Sequence, residues 1–227
     1  MGKTIGIVGI GSIGTRVIQI AHGFNMNVIA YTHHPNAVLH QLDQKIIYPH
    51  YDFKHLTEKY FEIGMKLNDF SIQLVKYWND KAANNFGVTF VDLDTLLKES
   101  DIISLHVPLT PSSEKMIGTR EFARMKKSAI LINTARGQVI DEDALIKALR
   151  EKQISGAGLD VFEKEPLSLS SPLLEFENIA LTPHVVFLSH ESLEKCTNVC
   201  VQNVEKFIEG KPQNVVNPEA LASSRLS

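Results

Sequence analysis

Seven short apolar runs punctuate the chain: Thr4–Val8, Asn27–Tyr31, Val88–Val91, Ile102–His106, Ala129–Ile132, Ser155–Leu159 and Ile179–Leu181. Runs such as Ile102-Ile103-Ser104-Leu105 lack a regular polar alternation, as strands covered on both faces do. Between them, apolar residues recur at helical spacing and predict helices over Ile13–Phe24, Leu93–Lys98, Thr119–Ala123, Glu142–Glu151 and Ser189–Glu209. Strand and helix thus take turns along the chain, which predicts an α/β fold with a parallel sheet wrapped by helices. Gly210, Pro212 and Pro218 stop the last helix, so 1–218 reads as one domain and 219–227 as a polar tail.

One stretch breaks this rhythm. Between Tyr31 and Val88 lies far more chain than a single crossover helix needs, and it holds most of the aromatic residues, Tyr77 and Trp78 among them. Its pattern predicts an insert over 36–86 with two amphipathic helices, Phe53–Leu67 and Asp69–Asn85. Two readings stay open: an embellishment packed on the domain, or a dimer contact or cap over a cleft, since aromatic groups are favoured at interfaces.

Composition narrows the function classes. With 44% hydrophobic and 22% charged residues, the 227-residue chain is ordinary for a globular protein. A net charge of −3 gives no electrostatic footprint for nucleic acid or an anionic membrane. No apolar stretch reaches spanning length and no signal-peptide pattern opens the chain. The two cysteines, Cys196 and Cys200, sit four apart on one helical face. They read as core or seam residues rather than a disulfide, which suits a reducing cytoplasm. His33, His34, His40, His50 and His55 follow no zinc spacing, so no metal is expected.

The run Ile5-Gly6-Ile7-Val8-Gly9-Ile10-Gly11-Ser12-Ile13-Gly14 changes the picture most. It reads as a buried strand, a Gly-x-Gly-x-x-Gly turn and a helix start, the order that a dinucleotide pyrophosphate needs. Gly9 allows the tight turn, Gly11 lets backbone approach the phosphates, and Gly14 lets helix pack close to strand. The helix start adds unpaired N–H groups and a positive dipole end. Cofactor contacts are therefore expected at Gly9, Gly11, Ser12, Ile13 and Gly14, and the sheet is expected to be a Rossmann-type, doubly wound one with an α-helical insertion after its second strand.

Polar residues then cluster at the ends of later strands: His106-Val107-Pro108-Leu109-Thr110-Pro111, Asn133-Thr134-Ala135-Arg136-Gly137, Gly158-Leu159-Asp160 running on to Glu165-Pro166, and Thr182-Pro183-His184. Open α/β sheets bind ligands at the carboxyl ends of their strands, so Arg136, Asp160, Glu165 and His184 could converge beside the cofactor. Singly, Arg136 also suits a surface ion pair, Glu165 an ordinary loop position and His184 a structural role. Their order, with the glycine turn upstream, is what points to a site.

These segments resemble the D-isomer-specific 2-hydroxyacid dehydrogenase family over Gly2–Tyr31 and Phe90–Pro218. The resemblance implies an NAD(P)-dependent oxidoreductase interconverting a 2-hydroxy acid and a 2-oxo acid. Carried over by position, Arg136 would bind the substrate carboxylate, His184 would be the acid/base and Glu165 its partner. Asp160 would meet the nicotinamide carboxamide, and His106, Val107, Pro108, Thr134 and Ala135 would line the cofactor. The chemistry agrees. Histidine titrates near working pH, a carboxylate beside it stabilises the imidazolium, and arginine's planar fork holds a carboxylate in two parallel hydrogen bonds.

Two departures qualify the resemblance. An acidic residue commonly ends the second strand to bind the adenosine ribose, but Thr32 stands there, followed by His33. NAD or NADP is thus expected, with NADPH tolerated or preferred. The family also places a substrate lobe before this domain, whereas this chain opens on the first strand, so that lobe is expected to be missing. An alternative is therefore a weak or inactive NAD(P)-binding module acting through a partner. Expected partners are a small acid, glyoxylate, hydroxypyruvate, D-lactate or 3-phosphoglycerate alike, and a second copy of the chain in a homodimer. No nucleic acid or membrane is expected.

Overall fold

The computed structural model describes residues 2–32 and 87–219. The expected insert at 36–86, His33 and the end of the polar tail lie outside the described residues. Among the described residues the order is β1 (Thr4–Val8), α1 (Ser12–Gly23), β2 (Asn27–Tyr31), β3 (Val88–Phe90), α2 (Leu93–Glu99), β4 (Ile102–Leu105) and α3 (Thr119–Phe122). It continues with β5 (Ile130–Asn133), α4 (Glu142–Arg150), β6 (Gly156–Leu159), β7 (Ile179–Leu181) and α5 (His190–Ile208). Short 3-10 turns at Gly137–Val139 and Pro172–Glu175 carry no sequence-level signal of comparable strength.

The seven strands form one sheet in the order β3-β2-β1-β4-β5-β6-β7, parallel throughout. The expected Rossmann-type sheet is therefore present. Strand order reverses beside β1, which sits between β2 and β4, and this is the place where such sheets open a crevice for ligands.

Burial on both faces follows from the pleat. Along β1, Ile5 and Ile7 point to a cluster with Ile18 and Ala21 of α1. Val8 points the other way, into the larger cluster that holds Leu96, Leu97, Ile103 and Leu131. A strand apolar on both sides needs exactly such cover from helices on each face, and the unbroken apolar runs encode that demand. At the sheet's amino edge, Asp101 ties the starts of β1 and β4 together. Its carboxylate accepts from Thr4 N at 2.9 Å and from Lys126 Nζ at 3.2 Å. The Thr4 N–H bond, aided by the two lysines, holds the Asp101 carboxyl below its ordinary range despite some burial.

Two compact units divide the chain, Met1–Pro183 and His184–Ser227. The first contains the whole sheet. In the second, the Ser189 hydroxyl caps α5 by accepting from Ser192 N at 3.1 Å. The helix ends in a Schellman motif, with Gly210 N bonded to Phe207 O and Lys211 N to Lys206 O. Cys196 and Cys200 are free rather than disulfide-bonded, as expected, and both are exposed rather than in a core.

Candidate functional site

The glycine turn occupies the switch point of the sheet. Chain leaves β1 at Gly9 with φ +96°, and a Cβ there would lie 2.7 Å from the His106 carbonyl oxygen. Its N–H donates to Tyr31 O at 2.9 Å, so the turn is wedged between the ends of β2 and β4. A Cβ at Gly14 would sit 2.2 Å from Gly9 O, which is why helix and turn can pack this closely only with glycine.

The start of α1 differs from the starts of α2, α4 and α5. Those three have side-chain caps, from Asp92, Asp141 and Ser189, and each has an acidic residue in its first turn. At α1 the N-cap is Gly11, no side chain caps the helix, and no acidic residue lies in the first turn. Free N–H groups, a positive dipole end and bare glycine backbone fit the pyrophosphate of a dinucleotide. Thr32 follows β2 and is half-buried, with no carboxylate to face a ribose.

At the end of β4, His106 Nε2 and Ser104 Oγ share a hydrogen bond of 2.9 Å. Burial lowers the His106 pKa, so the ring is neutral at physiological pH. Val107 is buried against the turn, and Pro108 is exposed. The Ser113 hydroxyl donates to Pro108 O at 2.6 Å and accepts from Thr110 N at 2.8 Å, which folds this loop.

The loops after β5 and β6 form one body. Asn133, only 1% exposed, ends β5 and bonds forward along its own chain. Its Oδ1 accepts from Ala135 N at 3.0 Å, and its Nδ2 donates to Arg136 O at 2.9 Å. Thr134 and Ala135 are half-buried inside this bend, whereas Arg136 is exposed and donates from one Nη to Ala135 O at 2.6 Å. The next residue, Gly137, lies so close to the β6 loop that a Cβ would come within 1.9 Å of Phe162 C and O. Gln138 Nε2 donates to Glu163 O at 3.0 Å across the same seam, and Lys115 Nζ lies 3.6 Å from Glu163 Oε1.

On the β6 side, Glu165 Oε1 accepts from Phe162 N at 3.0 Å, which turns its loop back on itself. Asp160 is buried to 1% exposure, and its Oδ1 accepts from the Thr182 hydroxyl at 2.6 Å. Arg136 and Glu165 thus stand on loops that touch each other at the carboxyl edge of the sheet, the edge that also carries Gly9–Gly14. His184 follows Pro183 directly after β7 and is the first residue of the second unit, with φ +56°. Among the described residues no group of three His, Cys, Asp or Glu side chains is arranged to hold a metal.

Comparison with known proteins bears on this arrangement. Residues 1–59 and 62–186 match the model of the D-isomer specific 2-hydroxyacid dehydrogenase, NAD binding domain. The chain belongs to the D-isomer specific 2-hydroxyacid dehydrogenase family. A glyoxylate reductase of Korarchaeum cryptofilum is 39% identical over 97% of this chain and 54% of its own length. The NAD-complexed D-isomer specific 2-hydroxyacid dehydrogenase of Lactobacillus delbrueckii ssp. bulgaricus superimposes with a TM-score of 0.66 at 31% identity, covering 95% of this chain and 56% of that one. An acyclic imino acid reductase in complex with NADPH and D-Arg gives a TM-score of 0.67 at 30% identity, covering 95% and 54%. The chain spans about half the length of the curated relatives it matches.

Within this dehydrogenase family member, the sequence reading missed the residues that hold the site rather than form it. Asn133, Gly137 and Gln138 meet backbone, and Thr182 donates to the Asp160 carboxylate. Asn133 alone had a local signal, since Asn at a strand end commonly bonds the backbone two residues on.

Proposed function

We propose that this chain is an oxidoreductase that binds NAD or NADP and interconverts a small 2-hydroxy acid with its 2-oxo acid. The observation that carries this reading is the packing of the Arg136 loop on the Glu165 loop, beside a pyrophosphate-binding turn at the switch point of the sheet. Hydride transfer is the chemistry a bound nicotinamide supplies. Arg136 presents an exposed guanidinium to the substrate carboxylate, and its fork can hold both oxygens. Orienting the acid in this way makes the reaction effectively unimolecular. His184 takes the hydroxyl proton during oxidation and returns it during reduction, because an imidazole titrates near working pH.

Glyoxylate is the first substrate to test, because it is the smallest 2-oxo acid and the Korarchaeum relative is named a glyoxylate reductase. We read the protein as a cytoplasmic homodimer. Its free thiols support a reducing compartment, and sedimentation equilibrium giving twice the chain mass checks the dimer. No helix of the described residues is long and apolar enough to cross a membrane.

The direct test follows NADH and NADPH absorbance with glyoxylate, hydroxypyruvate and pyruvate. Turnover is expected with at least one acid, and His184→Ala is expected to cut kcat by about 10²–10⁴-fold while nucleotide still binds. Activity that survives the substitution removes His184 as the acid/base. Nucleotide binding with no turnover of any acid replaces the enzyme with a binding module that acts through a partner.

A further inference from the structure

The loop that carries Arg136 is only three residues long, Thr134 to Arg136, between the end of β5 and the 3-10 turn that begins at Gly137. One side chain, that of Asn133, bonds two of its backbone groups, Ala135 N and Arg136 O. We propose that Asn133 is a positioning residue, whose carboxamide fixes the Ala135 and Arg136 peptides and so sets the direction of the Arg136 guanidinium. This rests on the reading of Arg136 as the group that binds a substrate carboxylate.

The chemistry of the position demands an amide. Oδ1 faces an N–H, that of Ala135, and Nδ2 faces a C=O, that of Arg136, at 3.0 and 2.9 Å. Asp would set a carboxylate oxygen against the Arg136 carbonyl, and Leu would fill the volume while satisfying neither group. The residue itself cannot drift. Its carbonyl accepts from Asp160 N at 3.0 Å, it pairs with Leu159 in the sheet, and it is 1% exposed. A polar side chain placed that deep is costly unless fully bonded, and here both heteroatoms are spent on the loop.

The geometry links this to specificity. A guanidinium stands at the end of a long side chain, so a small rotation at the Arg136 Cα becomes a large displacement of its fork. Two parallel hydrogen bonds tolerate little of that, and a misplacement of about 1 Å can cost about 10²-fold. Asn133, 1% exposed, acts on acid binding through the Arg136 peptide that its amide holds.

Calorimetric titration of oxamate, an unreactive acid with a carbonyl beside its carboxylate, into NADH-saturated protein tests this without turnover. Asn133→Leu and Arg136→Gln are each expected to weaken oxamate by about tenfold or more, with NADH affinity unchanged within about twofold. The Asn133→Leu/Arg136→Gln double variant is expected to bind no more weakly than Arg136→Gln alone, because groups acting as one unit are not additive. Asn133→Asp keeps the shape should Asn133→Leu fail to fold. At neutral pH it is expected to bind oxamate poorly, and relative to wild type to regain affinity as pH falls and its carboxyl gains a proton to donate to Arg136 O.

Additive losses in the double variant, or an Asn133→Asp deficit that does not change with pH, overturn the proposal and leave the role of Arg136 standing. A wild type that binds NADH but no oxamate, or an Arg136→Gln variant that binds it normally, overturns the reading of Arg136 and this proposal with it.

Discussion

Gly137→Ala puts the seam between the Arg136 and Glu165 loops to the hardest test. The new Cβ would lie 1.9 Å from both Phe162 C and Phe162 O, and 2.5 Å from Glu163 N. Ordinary contact begins near 3.4 Å, so the loops must part by 3.4 − 1.9 = 1.5 Å at this point. All three atoms are backbone, so no flexible side chain can swing aside. Overpacking of this kind costs about 1–3 kcal/mol, and at about 2–4 °C per kcal/mol for a chain of this size the melting temperature should fall by about 2–12 °C. Arg136 precedes Gly137, and Glu165 follows Phe162 by three residues. A shift of more than 1 Å between their loops should therefore lower kcat/KM for the 2-oxo acid by about 10²-fold. NADH affinity should change less, because Gly9–Gly14 follows β1, two strand positions from β5 along the same edge of the sheet. Thermal melts by circular dichroism, NADH titration and steady-state kinetics read the three effects separately. A Gly137→Ala protein that melts and turns over like wild type would refute the close approach and the coupling built on it.

Two further outcomes follow from the ends of the sheet. Asp101, bonded by Thr4 N–H and by Lys126 and Lys3, titrates below its ordinary value of 3.8, so its native form stays ionised to lower pH than its unfolded form. Its contribution to stability is therefore full above the unfolded value and lost as pH falls through the folded one. The melting-temperature gap between wild type and Asp101→Asn should be positive near neutrality and shrink as pH is lowered through that window; a gap independent of pH would contradict the assignment. At the other edge, Thr32→Asp should supply a ribose acceptor and repel a 2′-phosphate. It is expected to shift the ratio of NADH to NADPH affinity toward NADH by about tenfold, or about 1.4 kcal/mol. Wild-type protein that already binds NADH tenfold more tightly than NADPH would show that Thr32 does not set the preference.

The fold was legible because its signals are local and redundant. Strand runs apolar on both faces called for helices above and below, and the glycine turn after β1 fixed where the first crossover begins. Observed bounds differ from expected ones by about a residue, as at β5, where Ala129–Ile132 was expected and Ile130–Asn133 is found. That small slip has a physical cause with a consequence. An amide side chain at a strand's end reads as the first loop residue, yet the backbone of Asn133 pairs with Leu105 and Leu159. Its membership in the sheet is what lets its side chain brace the loop beyond.

The site was legible only as a set of chemical types. Arg136, Glu165 and His184 announce themselves because a guanidinium, a carboxylate and an imidazole have few reasons to end successive strands together. What brings two of them together is carried by groups with no chemical signature. Gly137 contributes the absence of a side chain, visible only once Phe162 is found against it. Gln138 contributes one bond to a carbonyl 25 positions away, which no spacing rule reaches. Thr182 holds Asp160 through a hydroxyl at 2.6 Å, from the residue just past β7, the strand that pairs with β6. Catalytic types are selected for reactivity, which the alphabet records. Their placement is selected through contacts between strand ends, and these exist only after the sheet has brought distant residues into register. The physical expectation is therefore that changes at Asn133 and Gly137 alter how the acid is held while leaving the nucleotide turn intact.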